Sequence, residues 1–466
     1  MFLSIPWSII VRFLFLLLLQ LITIGHHHNH VHGLLPNVVK IGGLFENGDE
    51  LVELAFRDAV ARINSDETLL PQTRIEPIIE RLEPCDSFQA SKRVCSLLRQ
   101  GVATIFGPQS VETTAHVQST CDVLHMPHME TTQWNFKFDD PPFHHSVNLF
   151  PHPIGLGNAF RDLITLKNWK SFAILYEENE ALVRMQEILK DPALNEKRIV
   201  VRQFPSDEYR TTFKELHKLA IRNIIVDVPH EHILTVLKHA QQVDMLSAYH
   251  NYFFISLDVH TVDLEEFQYS GLNISGFSLV DLTSKEVTQI VNKFQQQQII
   301  DDANTRYHWN PMDTTNMMIN VAQTAADNTI YRMTEVALVY DAVRLFAQTL
   351  YEIDKNGQHF QQPEDISCEN EKVWKFGTVM SNYMRNIQMD GISGPIQFDS
   401  TGSRSEFKLQ LLELTREGLK HVGDWHPEEK ITFMSNYTKA MTEIYRESLR
   451  NKTLTIVTIA VCRYSQ

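Results

Sequence analysis

Two hydrophobic rhythms alternate along the chain from residue 38 onward. Short apolar runs bounded by polar or turn-forming residues read as buried strands, and stretches with apolar residues every three or four positions read as helices. Val38–Phe45 (VVKIGGLF) is the first such run, and the next stretch has apolar residues at 52, 55, 56, 59, 60 and 63, which is helical spacing. A strand over Ile75–Leu82 follows, then a helix whose start is marked by Asp86-Ser87-Phe88-Gln89 and whose end is marked by Gly101. Val102–Gly107 reads as a strand and Val111–His125 as a helix. Residues 141–153, rich in Pro, Asn and His, read as hinge-like. Beyond them the pattern predicts strands at 171–177, 198–204, 224–228, 251–257 and 274–280, and helices at 155–167, 181–190, 211–221 and 231–246. Two longer helices are predicted at 334–353 and 373–388, and strands at 406–414 and 419–425. Three polar stretches, 295–310, 354–372 and 426–452, interrupt the alternation. Short strands separated by amphipathic helices imply an α/β fold of mostly parallel sheets with helices on both faces.

Length divides this fold into lobes. The 466 residues exceed one compact unit, since domains run to roughly 100–200 residues each. A net charge of −15 with no basic block argues against a nucleic-acid partner, because phosphate neutralisation needs clustered Lys and Arg. At the start, Arg12 precedes the apolar run Phe13–Leu19, with Gly25 beyond it. A run this short is shorter than the roughly 20 residues a spanning helix needs, so residues 1–25 read as a signal peptide, with an uncleaved signal anchor as the competing reading. No later stretch is long and apolar enough to span a bilayer. The tract His26–His32 (HHHNHVH) fits either a metal-binding tract or a spacer, and residues 26–37 are taken as a spacer with no metal or other cofactor implied.

Cysteines and sequons agree with an oxidising, secretory route. Cys85, Cys95, Cys121, Cys368 and Cys462 contain no CxxC pair, and five thiols leave at least one unpaired. Glycosylation is expected at Asn273, Asn436 and Asn451, each opening an N-x-S/T triplet. Motifs for a nucleophile elbow, a zinc helix, a P-loop or a dinucleotide fold are missing, so no enzyme is expected.

Local sequence narrows the class. IGGLFE (41–46), VELAFRDAVARIN (52–64), DSFQASKRVCSLL (86–98), GVATIFGP (101–108), YFFISLDVHTVDLEEFQYSG (252–271) and DGISGPIQFD (390–399) resemble the amino-terminal domain of kainate-type ionotropic glutamate receptors. The similarity runs from about 38 to 425, then weakly through NKTLTIVTIAV (451–461), which looks like the first strand of the agonist-binding domain in those receptors. The sequence ends at Gln466, so it is either a truncated splice form or a fragment.

The resemblance implies a two-lobed, periplasmic-binding-protein-like clamshell. Lobe one would hold 38–150 and 282–397, and lobe two 151–281 and 398–425; a linker at 426–452 and a vestigial strand at 453–466 would follow. It implies a disulfide between Cys95 and Cys368, with Cys121 unpaired in the core; a second bridge between Cys85 and Cys121 stays open. The helices at 87–100 and 111–125 would pair subunits, whereas the plainer reading turns all their apolar positions to the sheet. Clamshell amino-acid sensors hold a ligand carboxylate with hydroxyls at helix starts, which singles out Ser110, Thr131 and Thr132 as candidate cleft residues; simple helix capping is the alternative. The implied partners are other ionotropic glutamate receptor subunits, in homo- or heterodimers, and synaptic proteins. The implied location is secreted or extracellular, including the postsynaptic membrane. The implied role is assembly without a pore of its own, and the rivals are a soluble amino-acid sensor and a truncation product without function.

Overall fold

The structure, a computed structural model, describes residues 35–132, 145–294 apart from 180, 206 and 207, 332–364, 366–369, 372–435 and 437. The signal peptide, the His-rich tract, the Gln run, Asn436, Asn451, Cys462 and the 453–466 strand all lie outside the described residues. The chain divides into two compact units, formed by the described parts of Met1–Met129, His145–Val147 and Ala342–Ile387, and of Glu130–His144, Asn148–Asp341 and Gln388–Gln466.

Sixteen strands are described. They are β1 Val38–Glu46, β2 Arg74–Leu82, β3 Ile105–Phe106, β4 His128–Glu130, β5 Ser146–Pro151, β6 Ser171–Tyr176, β7 Arg198–Gln203 and β8 Asn223–Asp227. The rest are β9 Asn251–Phe254, β10 Asn273–Ser278, β11 Met389–Gly391, β12 Gly394–Phe398, β13 Ser403–Glu406, β14 Leu409–Thr415, β15 Gly418–His426 and β16 Lys430–Phe433. One sheet has the order β11-β12-β13-β5-β4-β3-β1-β2 and the other β16-β15-β14-β10-β9-β8-β6-β7. β1 pairs in parallel with β2 over nine residues and with β3, and β6 pairs in parallel with β7 and β8. The antiparallel pairs gather late in the chain, at β10–β14, β14–β15 and β15–β16 in the second sheet and β11–β12–β13 in the first.

Parallel strands covered on both faces need an apolar middle, and β6 and β8 have one. Phe172, Ala173, Ile174 and Leu175 of β6 and Ile224, Ile225 and Val226 of β8 are fully buried. Phe213, Leu216, Ile233, Val236 and Leu237, from the helices Tyr209–Lys218 and His230–Gln241, join the same core. In the first unit, the helix Glu50–Ser65 buries Val52, Ala55, Phe56, Ala59 and Val60, the face read from its spacing.

Several elements differ from the sequence reading, the short strands β11 to β13 among them. The stretch read as hinge-like contains β5, buried at all six positions. Its Asn148 looks like a turn former, yet its side-chain oxygen accepts from the Phe150 amide at 2.8 Å inside the strand. The helix expected over 181–190 is broken into Ala181–Arg184 and Gln186–Leu189. The polar stretch after 426 begins with β16, which is short and half-exposed, so it carries no apolar signal.

Candidate functional site

The helix Ser87–Arg99 starts where the sequence marks it. The Asp86 carboxylate accepts from the Gln89 amide at 2.8 Å, satisfying a donor that the helix cannot pair internally. Ala90, Val94, Leu97 and Leu98 face the core, while Phe88 is 68% exposed, with the Lys92 ammonium 4.2 Å from its ring centre. The neighbouring helix Val111–Leu124 packs against it. This second helix buries Thr113, Thr114, Val117, Cys121 and Leu124 and leaves Val123 63% exposed. The apolar positions therefore do not all turn to the sheet.

Cys95, on the first of these helices, is bonded to Cys368, with Cα atoms 5.7 Å apart across 273 residues of sequence. Cys85 and Cys121 are not bridged, since Cys85 is an exposed thiol at φ 59° and Cys121 is buried.

Ser110 sits immediately before the helix Val111–Leu124, where its hydroxyl meets that of Thr113 but caps no backbone N–H. It donates instead to Glu46 Oε1 at 2.6 Å, while the Ser110 amide donates to Glu46 Oε2 at 3.2 Å. The Thr113 hydroxyl donates to Oε1 at 2.8 Å. Glu46 ends β1 and is 8% exposed. Sequence reasoning missed it, because a lone Glu at a strand end reads as a solvated terminus. Thr131 and Thr132 are buried, and the Thr132 carbonyl accepts from Asn148 Nδ2 at 3.2 Å.

Ligands of open α/β sheets bind beyond the carboxyl ends of the strands, and in the second unit that end is lined by acids. Just beyond β6, Glu177 accepts from the Tyr209 hydroxyl at 2.6 Å and lies 2.8 Å from His232 Nδ1. At the end of β8, Asp227 takes a two-pronged contact from Arg184 at 2.8 and 3.0 Å. Beyond β9, Asp258 accepts from the Thr334 amide at 2.9 Å and hydroxyl at 2.7 Å, and burial pushes its carboxyl up to about 6. The acids at this end thus have partners from their own unit. Among the described residues, no cluster of three or more His, Cys, Asp or Glu is arranged to hold a metal, and no helix is long and apolar enough to cross a membrane.

Comparison with known proteins matches residues 51–417 to the family described as "Receptor family ligand binding region". The chain belongs to this receptor family. It is 32% identical over 431 residues to "Glutamate receptor ionotropic, kainate 1" of Mus musculus, covering 91% of this chain and 49% of that protein. The Homo sapiens and Macaca fascicularis proteins of the same name are each 31% identical over 446 residues, covering 91% of this chain and 46% of each. The chain thus spans about half the length of the curated relatives it matches. The likeness to kainate receptors read from the motifs agrees with these matches, as does the α/β, periplasmic-binding-protein-like fold. The receptor-family span contains Glu46's partners Ser110 and Thr113, the Cys95–Cys368 pair, Thr131, Thr132 and Asn273, and ends before Asn436 and Asn451.

Proposed function

We propose that this chain is an extracellular pairing domain that binds the amino-terminal domains of kainate-type glutamate receptor subunits and sets which subunits assemble, with synaptic proteins as further partners. The lobe limits 38–150 with 282–397 and 151–281 with 398–425 belong to the same proposal, as does the absence of enzymatic activity. The observation that carries it is the exposure of Phe88 and Val123 on two adjoining helices. Water-exposed side chains of this size on neighbouring elements are the material of an interface core, where aromatic anchors contribute most of the binding energy. The internally partnered acids of the second unit favour pairing over the soluble-sensor reading, since a ligand amine would first have to displace Arg184 or His232.

Co-expression tests this. Tagged chain should co-purify with full-length kainate-type subunits and alter their surface number, and Phe88→Asp should reduce recovery about tenfold or more. Equal recovery with Phe88→Asp would remove the helix pair from the interface, and no recovery with any subunit would return the reading to a sensor.

Glycan occupancy offers a second expectation. Asn273 opens β10 and is exposed, but its side-chain Nδ2 donates to Asn251 Oδ1 at 3.0 Å, and Asn251 Nδ2 donates to Asn223 Oδ1 at 2.8 Å. Ser275 of the same sequon is 7% exposed once β10 pairs with β9. Folding therefore removes the hydroxyl that a transferase must reach, so glycopeptide analysis should find Asn273 less fully modified than Asn436 and Asn451. Higher occupancy at Asn273 would contradict this.

A further inference from the structure

We propose that the strand starts of the second unit form a binding surface for a sulfated glycosaminoglycan. The pairing helices belong to the first unit, so neither claim rests on the other.

The sequence holds no basic block, but the sheet assembles one from scattered residues. Lys170 stands just before β6, Arg198 opens β7 with Lys197 ahead of it, and Arg222 stands just before β8. These three strands are neighbours in the order β8-β6-β7, and the Arg198 amide donates to the Lys170 carbonyl at 3.2 Å. Lys218 closes the helix Tyr209–Lys218, and the Arg198 guanidinium reaches the carbonyl just beyond it, that of Leu219, at 3.4 Å. Lys170, Arg198, Lys218 and Arg222 are exposed, and Lys197 is half-buried. Among the described residues, none of them is paired with a carboxylate, whereas Arg202 is held by Glu215 at 2.6 Å and Lys238 by Glu266 at 3.8 Å. Glu196 and Asp244 are exposed acids at the same end and are outnumbered. On a chain of net charge −15 this is a local reversal of sign. Lys218 answers the negative end of its helix, but a sheet has only a small net dipole, so strand starts need no cations for their own sake.

The row is long and carries sugar-binding chemistry. Neighbouring strands lie about 4.8 Å apart, so β7 to β10 span about 19 Å, which fits an extended polyanion better than a single anion. Along the same row the side-chain amides of Asn273, Asn251 and Asn223 form a ladder that ends on the Ser171 carbonyl, with steps of 3.0, 2.8 and 2.9 Å. Amides both donate and accept, as pyranose hydroxyls do. Tyr249 is 72% and Tyr269 79% exposed, and the Arg222 guanidinium lies 5.5 Å from the Tyr249 ring centre. The loops carrying these rings meet, since a Cβ on Gly271 would lie 3.3 Å from that of Ala248. A phenol offers an apolar face to the C–H side of a pyranose and a polar tip to its hydroxyls. An acidic peptide or an anionic membrane would use the cations and leave the ladder and the rings idle. A glycan on Asn273 would cover the row, so its low expected occupancy leaves the surface open.

Heparin is the probe. At pH 7.4 the purified full chain should bind immobilised heparin in about 150 mM NaCl, despite its net negative charge. Lys170→Glu combined with Arg222→Glu should weaken binding about tenfold or more and lower the slope of log affinity against log salt by about two. Tyr249→Ser should weaken heparin binding about fivefold and leave retention on a sulfopropyl exchanger unchanged. If the charge reversals are not secreted, Lys170→Gln with Arg222→Gln should show the same loss of binding and of salt slope. No heparin binding at this salt, or binding that the charge changes leave intact, would overturn the proposal. So would tighter binding to phosphatidylserine vesicles than to heparin, which would make the face a membrane contact. Heparin and sulfopropyl retention that respond alike to Tyr249→Ser would also overturn it, leaving a cationic face with no selectivity for sugar.

Discussion

Replacing Cys368 with serine is expected to lower the unfolding midpoint of the chain by about 10 °C. The bridge closes 273 residues of chain, and loop-closure entropy alone would make it worth on the order of 5 kcal/mol; measured losses of native bridges run to about 2–5. The native contacts around it do little to replace it. Among the described residues between 354 and 374, Phe360, Pro363, Ile366 and Trp374 are the buried apolar side chains, and Trp374 also donates its indole N–H to the Gln361 carbonyl at 3.0 Å. Phe360 and Trp374, with ring centres 6.2 Å apart, should hold their ends without the bridge. The segment around Cys368 should not. Calorimetry and amide exchange read both effects: a lower midpoint, with faster exchange near 366–369 than near 360. An unchanged midpoint would mean that the bridge contributes nothing beyond the packing.

The second large effect lies at Arg404, which is wholly buried. Its guanidinium donates to the carbonyls of Pro395, Glu406, Leu149 and Ser393 and to the Ser393 hydroxyl, at 2.7–3.2 Å. That hydroxyl donates in turn to Asp341 at 2.6 Å, and the Ile392 and Ser393 amides donate to the same carboxylate at 2.7 and 2.8 Å. Gly391 completes the fit, since a Cβ there would lie 2.4 Å from Asp341. Burial pulls the guanidinium down to about 10 and pushes the Asp341 carboxyl up, against the opposing pull of Ser393 and Arg404. Arg404→Met should cost about 3–5 kcal/mol, because it strands a buried carboxylate and several carbonyls.

The pH dependence follows from the sign of the Asp341 shift. A carboxyl raised by folding contributes stability that is full below its unfolded value and is lost as pH rises through its folded value. Without Arg404 the folded value rises further. The Arg404→Met penalty should therefore be larger at pH 7.5 than at pH 5, and Asp341→Asn in the same chain should return part of it. Urea unfolding at both pH values checks this, and a penalty that does not change with pH would contradict it.

Much of the frame is legible in the sequence because each element carries its own period. β1, β6 and β8 are built on apolar runs, and the helix from Glu50 repeats at helical spacing. The helix start at Asp86 was legible from capping chemistry that acts over three residues. What escaped depends on distant partners. Glu46 meets Ser110 across 64 residues and Arg404 meets Leu149 across 255, and nothing local distinguishes either from a solvated charge. β5 escaped because Asn148 and Pro151 resemble turn residues, and β16 because it is held by its pairing with β15. Ser110 stands at the helix start the sequence points to, but its hydroxyl meets Glu46 and the Thr113 hydroxyl rather than capping a backbone N–H.

Sedimentation velocity of the purified chain tests the pairing role most directly. Pairing through the helix face of Phe88 predicts a concentration-dependent dimer, or a faster-sedimenting complex on mixing with the amino-terminal domain of a kainate-type subunit, and loss of that species with Phe88→Asp. A chain that stays monomeric at every concentration and forms no complex with any such domain would contradict it.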